Sequence, residues 1–163
     1  LAEDNRRAFA RHRNVLCLAS GCRDILRSSL TGTSEVVEAL TFLQRIGNGL
    51  RFRSAAGRRV ALQLPCSQRT DAPSVTATRA LLARIPDLEV IELPDTGCCG
   101  AAGLHMLEEP ERAARLRQPL LDALAGSGAT ELLSANIGCS LHLANGTRMT
   151  VRHPVELLAE YLA

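Results

Sequence analysis

Two cysteines stand side by side in the stretch Asp95-Thr96-Gly97-Cys98-Cys99-Gly100-Ala101-Ala102-Gly103, with little side-chain bulk around them. A thiolate can act as nucleophile, metal ligand or disulfide partner, and spacing decides among these uses. Side chains on neighbouring residues point in different directions, so Cys98 and Cys99 do not readily turn to one ion. They can serve two different metals of one cluster. The chain holds six cysteines in all. Cys66 ends the apolar run RVALQLP, Cys98 and Cys99 follow LEVIELP, and Cys139 follows TELLSANI. Cys22 follows a similar run, whereas Cys17 lies inside one and reads as a small buried hydrophobe. His142 follows Cys139 with the two-residue gap common between metal ligands, so it joins the candidate set.

These residues need elements that bring them together. Short apolar runs alternate with amphipathic stretches throughout. VLCLAS (15–20), RVALQLP (59–65), LEVIELP (88–94), TELLSANI (130–137) and MTVRH (149–153) read as strands. RDILRSSL, SEVVEALTFLQRI, VTATRALLARI (75–85), a long helix ending at Gly126 and PVELLAEYLA read as helices. Pro119 inside the long helix is expected to kink or divide it. A short helical turn is expected after Cys139. The alternation predicts an α/β fold, a mostly parallel sheet with helices on both faces. Loops at the carboxyl ends of parallel strands meet on one rim, which would carry thiols from three strand ends to one place.

The chain also repeats itself. LCLASGC (16–22) matches LLSANIGC (132–139), and SEVVEALTFL resembles HPVELLAEYL farther on. Residues 59–163 then read as one complete unit, 47–58 as a polar linker, and 1–46 as the closing half of an earlier unit.

Several chemistries compete for the cysteines. A zinc ion prefers four ligands offered as spaced pairs. An iron–sulfur cluster accepts adjacent cysteines on separate irons, and bare glycine N–H groups beside it can bond its sulfurs. A strained Cys98–Cys99 disulfide and a nucleophilic cysteine with His105 or His142 as base are further readings. Neither of these explains the remaining loop cysteines. His105 has no spacing support, His153 precedes Pro154 at a strand-to-helix turn, and His12 sits in a basic solvated segment. Gly100-x-x-Gly103 is too weak to indicate a nucleotide site, because the following helix starts too late.

Composition narrows the classes further. Hydrophobic residues make up 46% of the chain, with three Phe, one Tyr and no Trp, so the core must be aliphatic. Net charge is +2 and every basic residue other than histidine is arginine, a balance that argues against nucleic acid. Arg53, Arg58 and Arg59 read as a solvated loop cluster. No run approaches the roughly 20 apolar residues of a membrane span. Six cysteines without a secretory signal favour a reducing, cytoplasmic compartment. With no initiator Met, the chain reads as a piece of a longer one.

Cys66, Cys98-Cys99-Gly100 and Cys139, in that order and spacing, resemble the cysteine-rich CCG domain family. That family includes a subunit of heterodisulfide reductase, lactate-utilisation iron–sulfur proteins and glycolate oxidase iron–sulfur subunits. PCSQR, CCGAAG, ANIGCSLHL and VRHPVELL look like the C-terminal part of the last type, and LASGC resembles the end of a first CCG unit. The resemblance implies pseudo-repeated CCG units and a 4Fe–4S cluster on Cys66, Cys98, Cys99 and Cys139, with zinc as the alternative. It leaves Cys22 as the orphan ligand of an incomplete first site. The family's last element is usually Cys-x-x-Cys, whereas this chain has Cys139-Ser140-Leu141-His142, and Cys22 is followed by Ile25. The implied role is non-catalytic electron transfer in a glycolate (2-hydroxy acid) oxidase complex. Electrons would pass from flavin-containing subunits toward a respiratory acceptor, at the inner face of the membrane. The ferredoxin-type cysteine runs that lie upstream in such proteins are absent from this sequence.

Overall fold

The computed structural model describes residues 1–163. Helix α1 (Ala2–Phe9) leads into β1 (Asn14–Cys17), α2 (Arg23–Ser29), β2 (Glu35–Glu38) and α3 (Ala39–Ile46). Strands β1 and β2 pair in parallel, with Asn14 beside Glu35 and Cys17 beside Glu38. The chain continues through β3 (Arg59–Gln63), α4 (Cys66–Arg69), α5 (Ala72–Leu82), β4 (Glu89–Glu92), α6 (His105–Glu108) and α7 (Pro110–Gly126). It ends with β5 (Glu131–Ser134), α8 (Ile137–Ala144), β6 (Thr150–Arg152) and α9 (Pro154–Tyr161). These last four strands form one parallel sheet in the order β4-β3-β5-β6.

The strand order explains where a site can form. From β3 the chain steps to β4, then crosses back over to β5 on the opposite side. Loops leaving β3 and β5 therefore diverge, and the crevice of such a sheet opens at their carboxyl ends.

The α/β expectation holds, and burial shows why. Val60, Leu62 and Leu133 join Leu81, Leu82, Leu157 and Leu158 in one core cluster. Ala61 and Leu132, pointing the other way from the same strands, join Leu120, Leu124, Leu143, Cys99 and Cys139 in a second. Alternate residues thus feed helices on both faces. Each fully buried leucine contributes about 1.5–3 kcal/mol.

The differences from expectation have local causes. Within SEVVEALTFLQRI the first part is strand β2 and only Ala39–Ile46 is helical. Val36 and Val37 are β-branched and buried against neighbours, a pleated-sheet environment. Glu38 then ends the strand and caps α3, accepting the Thr41 N–H at 3.1 Å. Pro119 neither divides nor ends its helix, which runs unbroken from Pro110 to Gly126. The turn expected after Cys139 is an eight-residue helix that already starts at Ile137. Within the arginine cluster Arg53 is exposed, while Arg58 and Arg59 carry ion pairs. Arg58 meets buried Glu131 at 2.9 Å and Arg59 meets Glu89 at 2.7 Å.

The repeat appears as two copies of one strand–helix–strand–helix path: β1-α2-β2-α3 and β5-α8-β6-α9. Superposing β2 on β6 sets Glu38 against His153, so the matching of SEVVEALTFL with HPVELLAEYL slips by four positions. Both residues cap the next helix: His153 Nδ1 accepts the Val155 N–H at 3.1 Å.

Residues 1–46 pack directly on the larger sheet. Arg23, only 2% exposed, pairs with Asp71 at 2.9 Å. The Ser20 N–H donates to the Ala135 carbonyl at 3.0 Å, and His153 Nε2 donates to the Leu18 carbonyl at 2.9 Å. The segment after α3 is also held, since Arg84 donates to the Gly47 and Leu50 carbonyls at 2.7 and 2.6 Å.

Candidate functional site

Three strand ends deliver four thiols to one rim. Pro65 ends the loop after β3, and Cys66 opens helix α4 with its side chain exposed. The loop after β4 carries Cys98, half-buried, and Cys99, buried. Asn136 follows β5, and Cys139 lies buried in the first turn of α8. Cys99 Sγ and Cys139 Sγ are 3.0 Å apart, although the two residues come from different loops.

The electrostatics of the four thiols are mutual. The contact with Cys139 pulls Cys99 down to about 6, against burial and with help from the Ala101 N–H. Cys139 is pushed up by the same contact, by burial, and by the negative charge Cys99, Cys66 and Cys98 can carry. Burial raises Cys98, the Gly100 N–H opposes this, and Cys66 and Cys99 add to the rise. Cys98, Cys99 and Cys139 thus each feel neighbouring thiols.

The CCG loop is shaped by packing as well as by sulfur. The Gly100 N–H donates to Cys98 Sγ at 3.4 Å. Gly100 also has φ of 93°, and a Cβ there would lie 2.6 Å from the Ala113 carbonyl of α7. No other residue fits that position. Arg69 fixes the loop from α4, reaching the Leu64 carbonyl at 3.1 Å, the Gly97 carbonyl at 2.6 Å and Asp95 at 2.9 Å. Sequence reasoning missed Arg69, although it stands three residues after Cys66 in PCSQR. Its targets lie across two loops and carry no sequence signal.

The remaining candidates divide. His142 is buried, and its Nε2 donates to the Ala113 carbonyl at 3.1 Å. Any ligand role would fall to Nδ1. Cys22 is exposed in a 3-10 turn over Ser20–Cys22. Its charge acts on Cys17, whose value burial raises first and Cys22 second. Cys17 itself is buried and donates to the Ala19 carbonyl at 3.1 Å. His105 opens α6, His153 caps α9, and His12 is exposed.

The donor set suits a sulfur-bound metal group, being all thiol and electrostatically coupled. No group of three or more His, Cys, Asp or Glu side chains converges as one ion would require. Thiolates around a single zinc would all sit about 3.8 Å apart, as follows from tetrahedral Zn–S bonds of ~2.3 Å.

A parallel α/β sheet with thiol-bearing loops at its switch point defines a class of cysteine-rich sulfur-ligand domains. A model of the cysteine-rich (CCG) domain family matches residues 60–144, and the chain belongs to that family. The chain is 31% identical over 106 residues to the glycolate oxidase iron–sulfur subunit of Escherichia coli strain K12. The match covers 64% of this chain and spans 26% of that relative's length. Among solved structures, glutamate racemase from Francisella tularensis subsp. tularensis SCHU S4, in complex with D-glutamate, aligns with a TM-score of 0.50. That alignment covers 98% of this chain and 59% of the racemase at 11% identity, a likeness of fold alone.

Proposed function

We propose that this chain is an iron–sulfur electron-transfer module of a glycolate (2-hydroxy acid) oxidising complex. Cys66, Cys98, Cys99 and Cys139 hold one cluster, of the 4Fe–4S type. The observation that carries this reading is the meeting of four thiols from three strand ends, with Cys99 and Cys139 in contact at 3.0 Å. A bound cluster supplies storage and transfer of single electrons. The chain's own residues supply the thiolates, the Gly100 N–H toward Cys98, and the Arg69 clamp that keeps the CCG loop beside Cys66.

In this reading residues 59–163 are a complete CCG unit, 47–58 a linker and 1–46 the closing half of a preceding unit, with Cys22 its orphan ligand. The likeness to an oxidase subunit supports a flavin-containing partner as electron donor and a respiratory acceptor beyond it. Exposed Leu18, Ile137 and Leu141 line one surface cleft and Leu107 and Leu141 a second, apolar features suited to a docked subunit. No helix is long and apolar enough to cross a membrane. Six unpaired cysteines fit a cytoplasmic location, and attachment to the membrane through the complex is compatible with it.

Anaerobic reconstitution with iron and sulfide, followed by metal and sulfide analysis and EPR, tests the proposal. Stoichiometric iron and labile sulfide with a reducible EPR signal is the expected result. Zinc at one per chain without labile sulfide would replace the cluster by a structural zinc site.

A further inference from the structure

Asn136 departs from a local rule. It holds the N-cap position of α8, where an asparagine oxygen ordinarily accepts a first-turn N–H. Here the side chain makes no capping bond. Its Nδ2 donates instead to Cys139 Sγ, at 3.6 Å. The helix forgoes its cap and the amide serves a sulfur.

Residues 1–46 close directly over that amide. A Cβ on Gly21 would lie 3.1 Å from Asn136 Nδ2 and 3.2 Å from its Oδ1, so glycine lets the two segments close up. The neighbouring Ser20 N–H binds the Ala135 carbonyl at 3.0 Å. Ser20 Oγ and Ser67 Oγ share a hydrogen bond of 2.8 Å, which ties the same segment beside Cys66. The repeat offers an internal contrast, because the position matching Asn136 is Ala19, which has no side-chain donor.

We propose that Asn136 is a positioning residue that donates to the Cys139 sulfur and raises the reduction potential of a cluster held there, with Gly21 setting its amide. The inference rests on the cluster reading of the four cysteines. Reduction adds one electron, and part of the added negative charge falls on the ligand sulfurs. A donor aimed at one of them therefore stabilises the reduced form more than the oxidised one. No proton leaves the amide, and the electron comes from dithionite in the titration.

The test is a mediated redox titration, followed by EPR, of the full chain reconstituted anaerobically. Asn136→Ala is expected to keep its iron and sulfide and to shift the midpoint downward. The expected size is a tenfold change in the reduction equilibrium, about 59 mV for one electron. Asn136→Asp is a sound N-cap that keeps the shape and loses the donor, so it should shift the midpoint further down. Gly21→Ala should give a smaller shift of the same sign. Gly49→Ala, whose Cβ meets nothing within 4 Å, should give none. An unchanged or raised midpoint in both Asn136 variants, with iron present, overturns this inference and leaves the cluster reading standing. A wild-type chain that takes up no iron and sulfide overturns both.

Discussion

The two copies of the strand–helix–strand–helix path share a plan and differ in their surroundings. Strand β5 lies between β3 and β6 and buries all four residues. Strand β1 pairs only with β2 and buries alternate residues. In the C-terminal copy, Asn136, Cys139 and His142 face a core shared with α7 and the CCG loop. Their counterparts are Ala19, exposed Cys22 and half-exposed Ile25. The same strand and Gly-Cys pattern thus sits in two different surroundings. Only in the C-terminal copy do the flanking strands β3 and β4 bring Cys66, Cys98 and Cys99 to the rim that carries the Gly-Cys thiol.

Several experiments can break or sharpen that comparison. A large effect is expected at the join. Arg23→Met removes the buried partner of Asp71, whose side chain is 13% exposed, and should cost about 3 kcal/mol in urea denaturation. A loss below about 0.5 kcal/mol would mean that residues 1–46 are not held through this pair. Next come equivalent leucines of the two copies. Leu133 is fully buried and Leu16 is 48% exposed. Leu133→Ala should cost about 2–5 kcal/mol, whereas Leu16→Ala should stay within about 0.5 kcal/mol. Similar losses at both would show that β1 is as enclosed as β5.

The smallest effects concern the twin caps, and they should run in opposite directions with pH. Burial raises Glu38 above its ordinary value of 4.5. The folded chain then holds that proton longer than the unfolded one, and stability falls as pH rises from 4.5 toward the raised value. Glu38→Gln should match wild type below that window and exceed it above. His153 is lowered by burial from 6.5, so its contribution is complete above 6.5 and is lost as pH falls toward the lowered value. His153→Asn keeps a capping side chain and should flatten that acid-side loss. Urea midpoints across the pH range check both, and parallel trends in the two variants would contradict the assignment.

Much of the fold was legible because its signals are local. The RVALQLP and TELLSANI runs are short, aliphatic and bounded by turn residues, and both contain the observed strands β3 and β5. EVVE was hidden because Val36, Val37, Leu40 and Leu43 also satisfy a helical spacing. Only the parallel pairing with β1 decides for a strand. Helices α4 and α6 are four residues each, too short for periodicity to show. The thiol set could be read from strand ends and spacing. The fixed ring of His142, the Arg69 clamp and the Asn136 donor could not. Each depends on a group far along the chain: the Ala113 carbonyl, the Gly97 carbonyl and the bare Cα of Gly21.

The central claim is that Cys98 and Cys99 hold a cluster together with Cys66 and Cys139. Labile sulfide and iron per chain, measured after anaerobic reconstitution of wild type and of the Cys98→Ser, Cys99→Ser double variant, test it most directly. The account predicts both in stoichiometric amount in wild type and their loss from the variant. A variant that keeps wild-type iron and sulfide would contradict it.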